Sequence, residues 1–258
     1  MRAIIPQNRM EPSSHFEIRP LTTLEEFSAV VRLQREIWGF HDIELLPRRL
    51  FVVASKIGGQ LLGAFAGSKM VAFCLCIPGL KANGKPYLHS HMLGVLAPYR
   101  NTGLGRRLKL KQCEYAVEHG VDLIEWTFDP LEIKNAFFNI ERLGAIVRRY
   151  VHNQYGTTTS HLHGGLPTDR LIAEWWLRSS RAVAASAGEP FDKGRVQARI
   201  AVPANIAEIR LSDPERARKI QAEIGDQFSQ CFDAGWAVTG FEKNDTEGAY
   251  LLGIWPSR

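Results

Sequence analysis

Cysteine is scarce in this chain. Cys74, Cys76, Cys113 and Cys231 are the four among 258 residues. They are too few and too scattered for the disulfide framework of a small secreted scaffold. Cys74 and Cys76 lie two apart in an apolar run, which fits one face of a strand, where a thiol acts as a small hydrophobe. Long apolar runs are also missing, because Gly, Lys or Ser interrupts each one well short of a membrane span. The opening MRAIIPQNRMEPSSHF lacks the apolar stretch of a signal peptide. The expected compartment is therefore the cytoplasm, with no membrane partner. No internal repeat is visible. The hydrophobic fraction of 45% and charged fraction of 23% exclude a disordered chain or a coiled-coil rod. The length suits one large domain, or a domain with a sizeable appendage, able to bury its own core.

Positive charge is present but unevenly placed. The net charge is +5; residues 1–150 hold 20 basic and 14 acidic side chains, and residues 151–258 hold 12 and 13. Arg100, Arg106, Arg107, Lys109 and Lys111 crowd together with no acid among them. Such a compact cluster suits a small phosphate-bearing ligand. It is too short for the basic stripe of a nucleic-acid surface, so no nucleic-acid partner is expected.

The hydrophobic pattern predicts a strand at 15–21, then a helix from Thr22–Thr23 through Trp38 with Leu24, Phe27, Val30, Val31 and Ile37 mainly on one face. A second helix begins near Pro47 and stops before Gly58. Strands at 61–67 and 69–79 form a tight hairpin, and a strand at 87–96 follows an Asn-Gly turn. Helix 103–119, strand 121–128, helix 132–143 and a strand from 145 complete a β-α-α-β-β-β-α-β-α-β order. That order predicts an α/β (α+β) mixed sheet flanked by helices. Residues 1–14 read as a tail and 15–157 as the core. Residues 158–258 read as an α+β extension: a helix from Pro167 through Trp175 and Trp176 to about 185, a linker at 186–194, a strand at 196–203, a helix opened by a Ser212–Glu215 capping box, and a hairpin. The extension is expected to form its own small lobe or a homodimer surface. On a helix, one of the adjacent Trp175 and Trp176 would face the core and the other a pocket or dimer surface.

The most specific motif is Tyr99-Arg100-Asn101-Thr102-Gly103-Leu104-Gly105-Arg106-Arg107-Leu108, placed between a strand and a helix. Two glycines allow close approach of a ligand. The first helical turn presents backbone N–H groups without partners, and its dipole favours an anion. Basic side chains screen the remaining charge. The pattern describes a pyrophosphate cradle. It lacks the third Gly or Ala of a dinucleotide fingerprint, where Leu108 stands, and the Gly-Lys-Ser/Thr of a Walker loop.

With its flanks, this stretch resembles the GCN5-related N-acetyltransferase (GNAT) family, whose signature is Arg/Gln-x-x-Gly-x-Gly/Ala after the fourth strand. Val95–Arg100 resembles the strand end entering that loop, and Asn135-Ala136 with Leu143-Gly144-Ala145 resembles the next helix and its Leu-Gly turn. The resemblance covers residues 15–155. The run WTFDPLE, then NA, N and LGA, also resembles a group of predicted acyltransferases with an extended C-terminal region. The resemblance implies acetyl-CoA or another acyl-CoA as cofactor, with Arg100, Asn101, Thr102, Gly103, Leu104, Gly105 and Arg106 around the pyrophosphate. Leu93 and Val95 would hold the pantetheine arm where two strands splay, and Asn135 would contact that arm. The implied activity is direct acyl transfer, acetyl or succinyl, to a small amine or amino acid. The alternative is a non-catalytic module that senses acyl-CoA or docks a partner.

The chemistry needs a base for the amine and an acid for the thiolate. Many relatives place a Tyr four residues before the glycine of the Leu-Gly turn; here Ile140 stands there. Tyr150 is the substitute candidate acid, beside solvent. Three groups are candidate bases. Glu125 shares a strand face with Val121 and Leu123, and equally suits an ion pair. Asp129 ends that strand, and equally suits a turn before Pro130. His91 lies on the face of His89, and its ordinary pKa suits proton transfer near neutrality. Arg148 and Arg149, on opposite faces of one strand, are each a surface residue or a partner for a substrate carboxylate or a succinyl donor. The pairs His89/His91 and His161/His163 have no third ligand at metal spacing, so no metal is expected.

Overall fold

The computed structural model describes residues 16–156 and 165–255. Its centre is one twisted sheet of ten strands in the order β1-β2-β3-β4-β5-β7-β6-β9-β10-β8. The first four strands, β1 (Glu17–Pro20), β2 (Gln60–Ala66), β3 (Lys69–Leu80) and β4 (Pro86–Val95), are successive antiparallel neighbours. α1 (Leu24–Trp38) and α2 (Arg48–Lys56) pack between β1 and β2 in sequence, and α3 (Leu104–Glu118) follows β4. α1 starts at the predicted place: Thr23 accepts from the Glu26 N–H while Glu26 answers to the Thr23 N–H, a reciprocal cap.

β5 (Leu123–Phe128) runs parallel to β4, whereas every other recorded strand pair is antiparallel. The parallel pairing is brief: Leu88 pairs with Ile124 and His89 with Glu125, and beyond them the strands part. β4 also carries a bulge there. Leu75 pairs with Met92 and Cys76 with Ser90, so His91 is the extra residue. A bulge bends its strand and re-aims the side chain it carries.

Beyond β5 the chain departs from the sequence reading in several places. The helix expected at 132–143 is α4 (Ile133–Phe137) followed by a π turn at Phe138–Arg142. The wider turn accompanies an inward-facing Asn139, whose carbonyl accepts from the Trp126 indole N–H at 3.2 Å. Next come β6 (Ile146–Val151) and β7 (Arg170–Trp176), a strand where a helix was expected. β7 inserts between β5 and β6 and is antiparallel to both. In strand geometry Trp175 is fully buried and Trp176 turns to the other face, where its N–H bonds Glu174. Thr168 starts no helix; its hydroxyl bonds the Gly156 carbonyl across the β6–β7 loop.

The remainder is α5 (Ser180–Ala187), β8 (Val196–Pro203), α6 (Ile206–Ser212), α7 (Pro214–Asp233), β9 (Trp236–Lys243) and β10 (Glu247–Ile254). α6 was not expected. Ser212 closes it by bonding Glu208, and Asp213 rather than Ser212 caps α7. The separate lobe is also corrected: β9 pairs with β6 through Val147 and Val238, so the sheet runs on past residue 157. One apolar cluster joins Ile124, Trp126, Ile140 and Trp175 to Phe228, Phe241 and Tyr250, mixing side chains from both stretches. A boundary at 157 would cut this cluster.

Candidate active site

The stretch between β4 and α3 takes the conformation its glycines allow. Gly103 caps α3 at φ +80 and Asn101 sits at φ +63, both left-handed. Arg100 Nε bonds the Val95 carbonyl, and the Thr102 hydroxyl bonds the Tyr99 carbonyl, which closes the turn. None of the backbone N–H groups of residues 101–106 has a hydrogen-bond partner among the described residues. A Cβ on Gly103 would meet nothing within 4 Å, and one on Gly105 would meet only Leu93 at 3.6 Å. Orphan donors, a helix N-terminus and open space above two glycines make a seat for an anion.

That seat opens into a groove of about 1380 Å³. Leu93, Val95, Arg100, Asn101, Gly103, Leu104, Gly105, Arg106 and Asn135, all expected around the cofactor, line it; Thr102 holds the turn from behind. A second cleft, of about 570 Å³, opens where β4 and β5 splay. Leu93 and Asn135 wall both spaces, so the two adjoin. His91 and Asp129 line the second cleft, with Trp38, Phe40, Glu44 and Leu46 from the α1–α2 region and Tyr155 from the β6–β7 loop. Trp38 and Phe40 stack at 5.6 Å between ring centres.

The candidate bases separate clearly. The bulge presents His91 to the cleft, and the protein mass around its ring lowers its pKa from the ordinary 6.5 by desolvation. Its neighbour His89, 5.8 Å away between ring centres, is lowered to about 4 by burial, then by His91 and the lysines Lys109 and Lys81. Glu125 does not reach the cleft. Its buried carboxylate pairs with Lys81 and with Arg149 at 2.5 Å. Asp129 borders the cleft, but Arg210 holds it at 2.7 Å and it accepts the Leu131 N–H at 2.8 Å.

Tyr150 is a correction as well. Its hydroxyl donates to Asp169 at 2.6 Å, its ring stacks on Phe228, and burial followed by Asp169 drives its pKa far up. It lines neither space. Arg148 and Arg149 do not take opposite faces. A bulge between Val147 and Tyr150 turns both toward Glu174 and Glu125, which engage them. Ile140 is fully buried. His161 and His163 lie outside the described residues. Among the described residues, no three His, Cys, Asp or Glu side chains converge as a metal site. No helix among them is long and apolar enough to cross a membrane.

Sequence reasoning missed Tyr155, whose hydroxyl shares a 3.0 Å hydrogen bond with Thr127 on the cleft wall. Lys109, read with the basic cluster as suited to a phosphate, is instead buried on α3 and does not line the groove. The Lys109 ammonium donates to Ser90 Oγ at 2.7 Å and lies 3.6 Å from the Trp126 ring centre. Ser90 and Trp126 are the first residues past the last β4–β5 pair, so Lys109 props the two strands where they diverge. Desolvation lowers its pKa to about 8.

Residues 20–144 match the acetyltransferase (GNAT) family. This stretch is a GNAT acetyltransferase domain. The fold agrees with solved GNAT structures. NAA60 of Arabidopsis thaliana, solved with a bisubstrate analogue, is 14% identical with a TM-score of 0.51, covering 62% of this chain and 97% of its own. The ribosomal-protein-S18-alanine N-acetyltransferase of Escherichia coli is 17% identical with a TM-score of 0.50, covering 64% and 96%. The yncA protein of Salmonella typhimurium, solved with its cofactor acetyl-CoA, is 13% identical with a TM-score of 0.52, again covering 64% and 96%. No curated protein matches the chain. The GNAT domain is an acetyltransferase domain, and its family uses acyl-CoA as cofactor. The orphaned N–H groups of 101–106 fit that cofactor's pyrophosphate.

Proposed function

We propose that the chain transfers an acyl group, acetyl or succinyl, directly from CoA to the amino group of a small amine or amino acid. The observation that carries this reading is that the anion groove and the cleft adjoin, sharing Leu93 and Asn135 as walls. The N–H groups of 101–106 would hold the pyrophosphate, and Leu93, Val95 and Asn135 the pantetheine arm. When bound, the cofactor supplies an activated acyl thioester.

The chain's own residues supply proton management and shape. His91, kept neutral near pH 7 by its lowered pKa, accepts a proton from the amine at a ring nitrogen. The Tyr155 hydroxyl is placed to give a proton to the departing sulfur. The stacked Trp38 and Phe40, with Leu46 and Tyr155, narrow the cleft and favour a small acceptor over a long polypeptide.

Gly105→Asp tests the site. The new carboxylate enters the groove without backbone strain, since Gly105 is helical and its Cβ has ordinary space. An acid in a first helical turn also spares stability. Calorimetry is expected to show a loss in acetyl-CoA affinity of tenfold or more, about 1.4 kcal/mol, at an unchanged melting temperature. Unchanged affinity removes the site assignment. His91→Gln is expected to lower kcat about 100-fold at an unchanged acetyl-CoA KM, in assays over a panel of amines and amino acids. An unaltered kcat removes His91 as the base.

A further inference from the structure

We infer that Lys81, Arg148 and Arg149 form a carboxylate-binding row beside the cleft, and that the acceptor is an elongated amine with a carboxylate at its far end. The inference rests on the acyl-transfer reading above and narrows the acceptor class. Arg148 and Arg149 lie beyond the family domain, which ends at 144.

The row is built on two buried acids. Glu125 on β5 and Glu174 on β7 stand directly opposite one another and are 4% and 3% exposed. Like charges opposite one another destabilise a sheet, and burial adds to the cost. Cations from two distant stretches offset it. Lys81, just past β3, and Arg149 on β6 both engage Glu125. Arg148 pairs with Glu174 at 2.6 Å, and the Trp176 indole N–H donates to the same carboxylate at 3.2 Å. The acids thereby fix three cationic side chains that solvent still reaches. The Nη1 groups of both arginines donate to nothing among the described residues. Three cations against two carboxylates leave positive charge in excess, and the neighbouring His89 adds none near pH 7. Held cations with spare donors suit a carboxylate.

Placement selects the occupant. Glu125 shares its strand face with Thr127, two residues on, which walls the cleft. Two strand residues span about 7 Å. On β4, His89 pairs with Glu125, and its ring lies 5.8 Å from that of His91. An acceptor with its amine at His91 therefore reaches the row only when its acid group stands several bonds away. An α-amino acid, with both groups on one carbon, does not span. The acyl donor is a poorer match: in the reading above it lies in the β4–β5 splay, and the His89–Glu125 pair closes that gap before the row.

The test is a steady-state assay on the full chain with saturating acetyl-CoA. The acceptors are straight-chain ω-amino carboxylates of increasing length, each beside its ω-amino carboxamide, which has the same shape without the charge. At the best length, the acid is expected to show a KM about tenfold below that of its amide. Lys81→Gln and Arg148→Gln, made separately, leave Arg149 in place against both buried acids. Each is expected to shrink the acid-to-amide ratio to about threefold. Equal KM values for acid and amide at every length, or a ratio unmoved in both variants, overturn the row while the acyl-transfer reading stands. Transfer to other amines but to none of this series does the same. A preference for succinyl-CoA over acetyl-CoA that the variants remove, with no preference among acceptors, gives the row to the donor and overturns the inference. Absence of transfer to any amine overturns the acyl-transfer reading and the row with it.

Discussion

Lys109 shows how a single residue ties the interior to the site. Its ammonium is buried, rests on Ser90 and Trp126, and has a pKa lowered to about 8. Between that value and the 10.5 of the unfolded chain, the unfolded state holds a proton the native state has released, so stability rises with pH across that window. Lys109→Met removes the effect. The wild type is expected to gain about 3 kcal/mol relative to the variant between pH 8 and 10.5, read from urea midpoints. A constant difference would show that the ammonium is not desolvated. His89 has the same sign in a lower window. Its pKa falls from 6.5 to about 4, so stability present above 6.5 is lost as pH drops toward 4. His89→Gln is expected to flatten that decline by about 2 kcal/mol in acid-induced unfolding. At this scale the sequence pointed to His91 and to residues 100–106, which the fold brings to the cleft and to the groove, with Thr102 in the turn beside it. It misled for Glu125 and Tyr150, because their partners Lys81, Arg149 and Asp169 come from distant stretches that only the folded chain brings together.

Among the elements, the junction of the π turn with β6 is the most constrained. Gly144 has φ +73, and a Cβ there would sit 2.9 Å from the Arg181 carbonyl. The Arg181 side chain in turn donates to the carbonyls of Gly144 and Thr239. Gly144→Ala combines a left-handed backbone with that clash and is expected to cost about 2 kcal/mol or more, measured by urea unfolding. A loss below half of that would show that α5 moves aside freely. The Leu-Gly turn was legible because its signal is local. β7 was not, since a short apolar run such as LIAEWW fits helix or strand until its neighbours are known. The bulge at His91 was also hidden, because a bulge is a mismatch between two strands and no single strand records it.

For the whole molecule, the continuous sheet and the shared apolar cluster predict one cooperative unit. Far-ultraviolet circular dichroism and tryptophan fluorescence are expected to give coincident urea transitions. Two separated transitions would mean that the stretch beyond β7 folds by itself. The sequence conveyed the order of the first six strands and three of their helices, but not this unity. An extension is easily read as separate when its contacts with the core are long-range pairings such as Val147 with Val238.

The insertion of β7 between β5 and β6 carries a consequence for synthesis. On a translating ribosome, β5 and β6 emerge first, and neither can pair along the edge reserved for residues 170–176. Until that stretch clears the exit tunnel, the nascent chain carries an open apolar edge at Leu123, Ile124 and Trp126, the kind of edge that invites wrong partners. Slow codons placed before residue 170 would prolong that exposure, and chaperone demand during expression would rise with them.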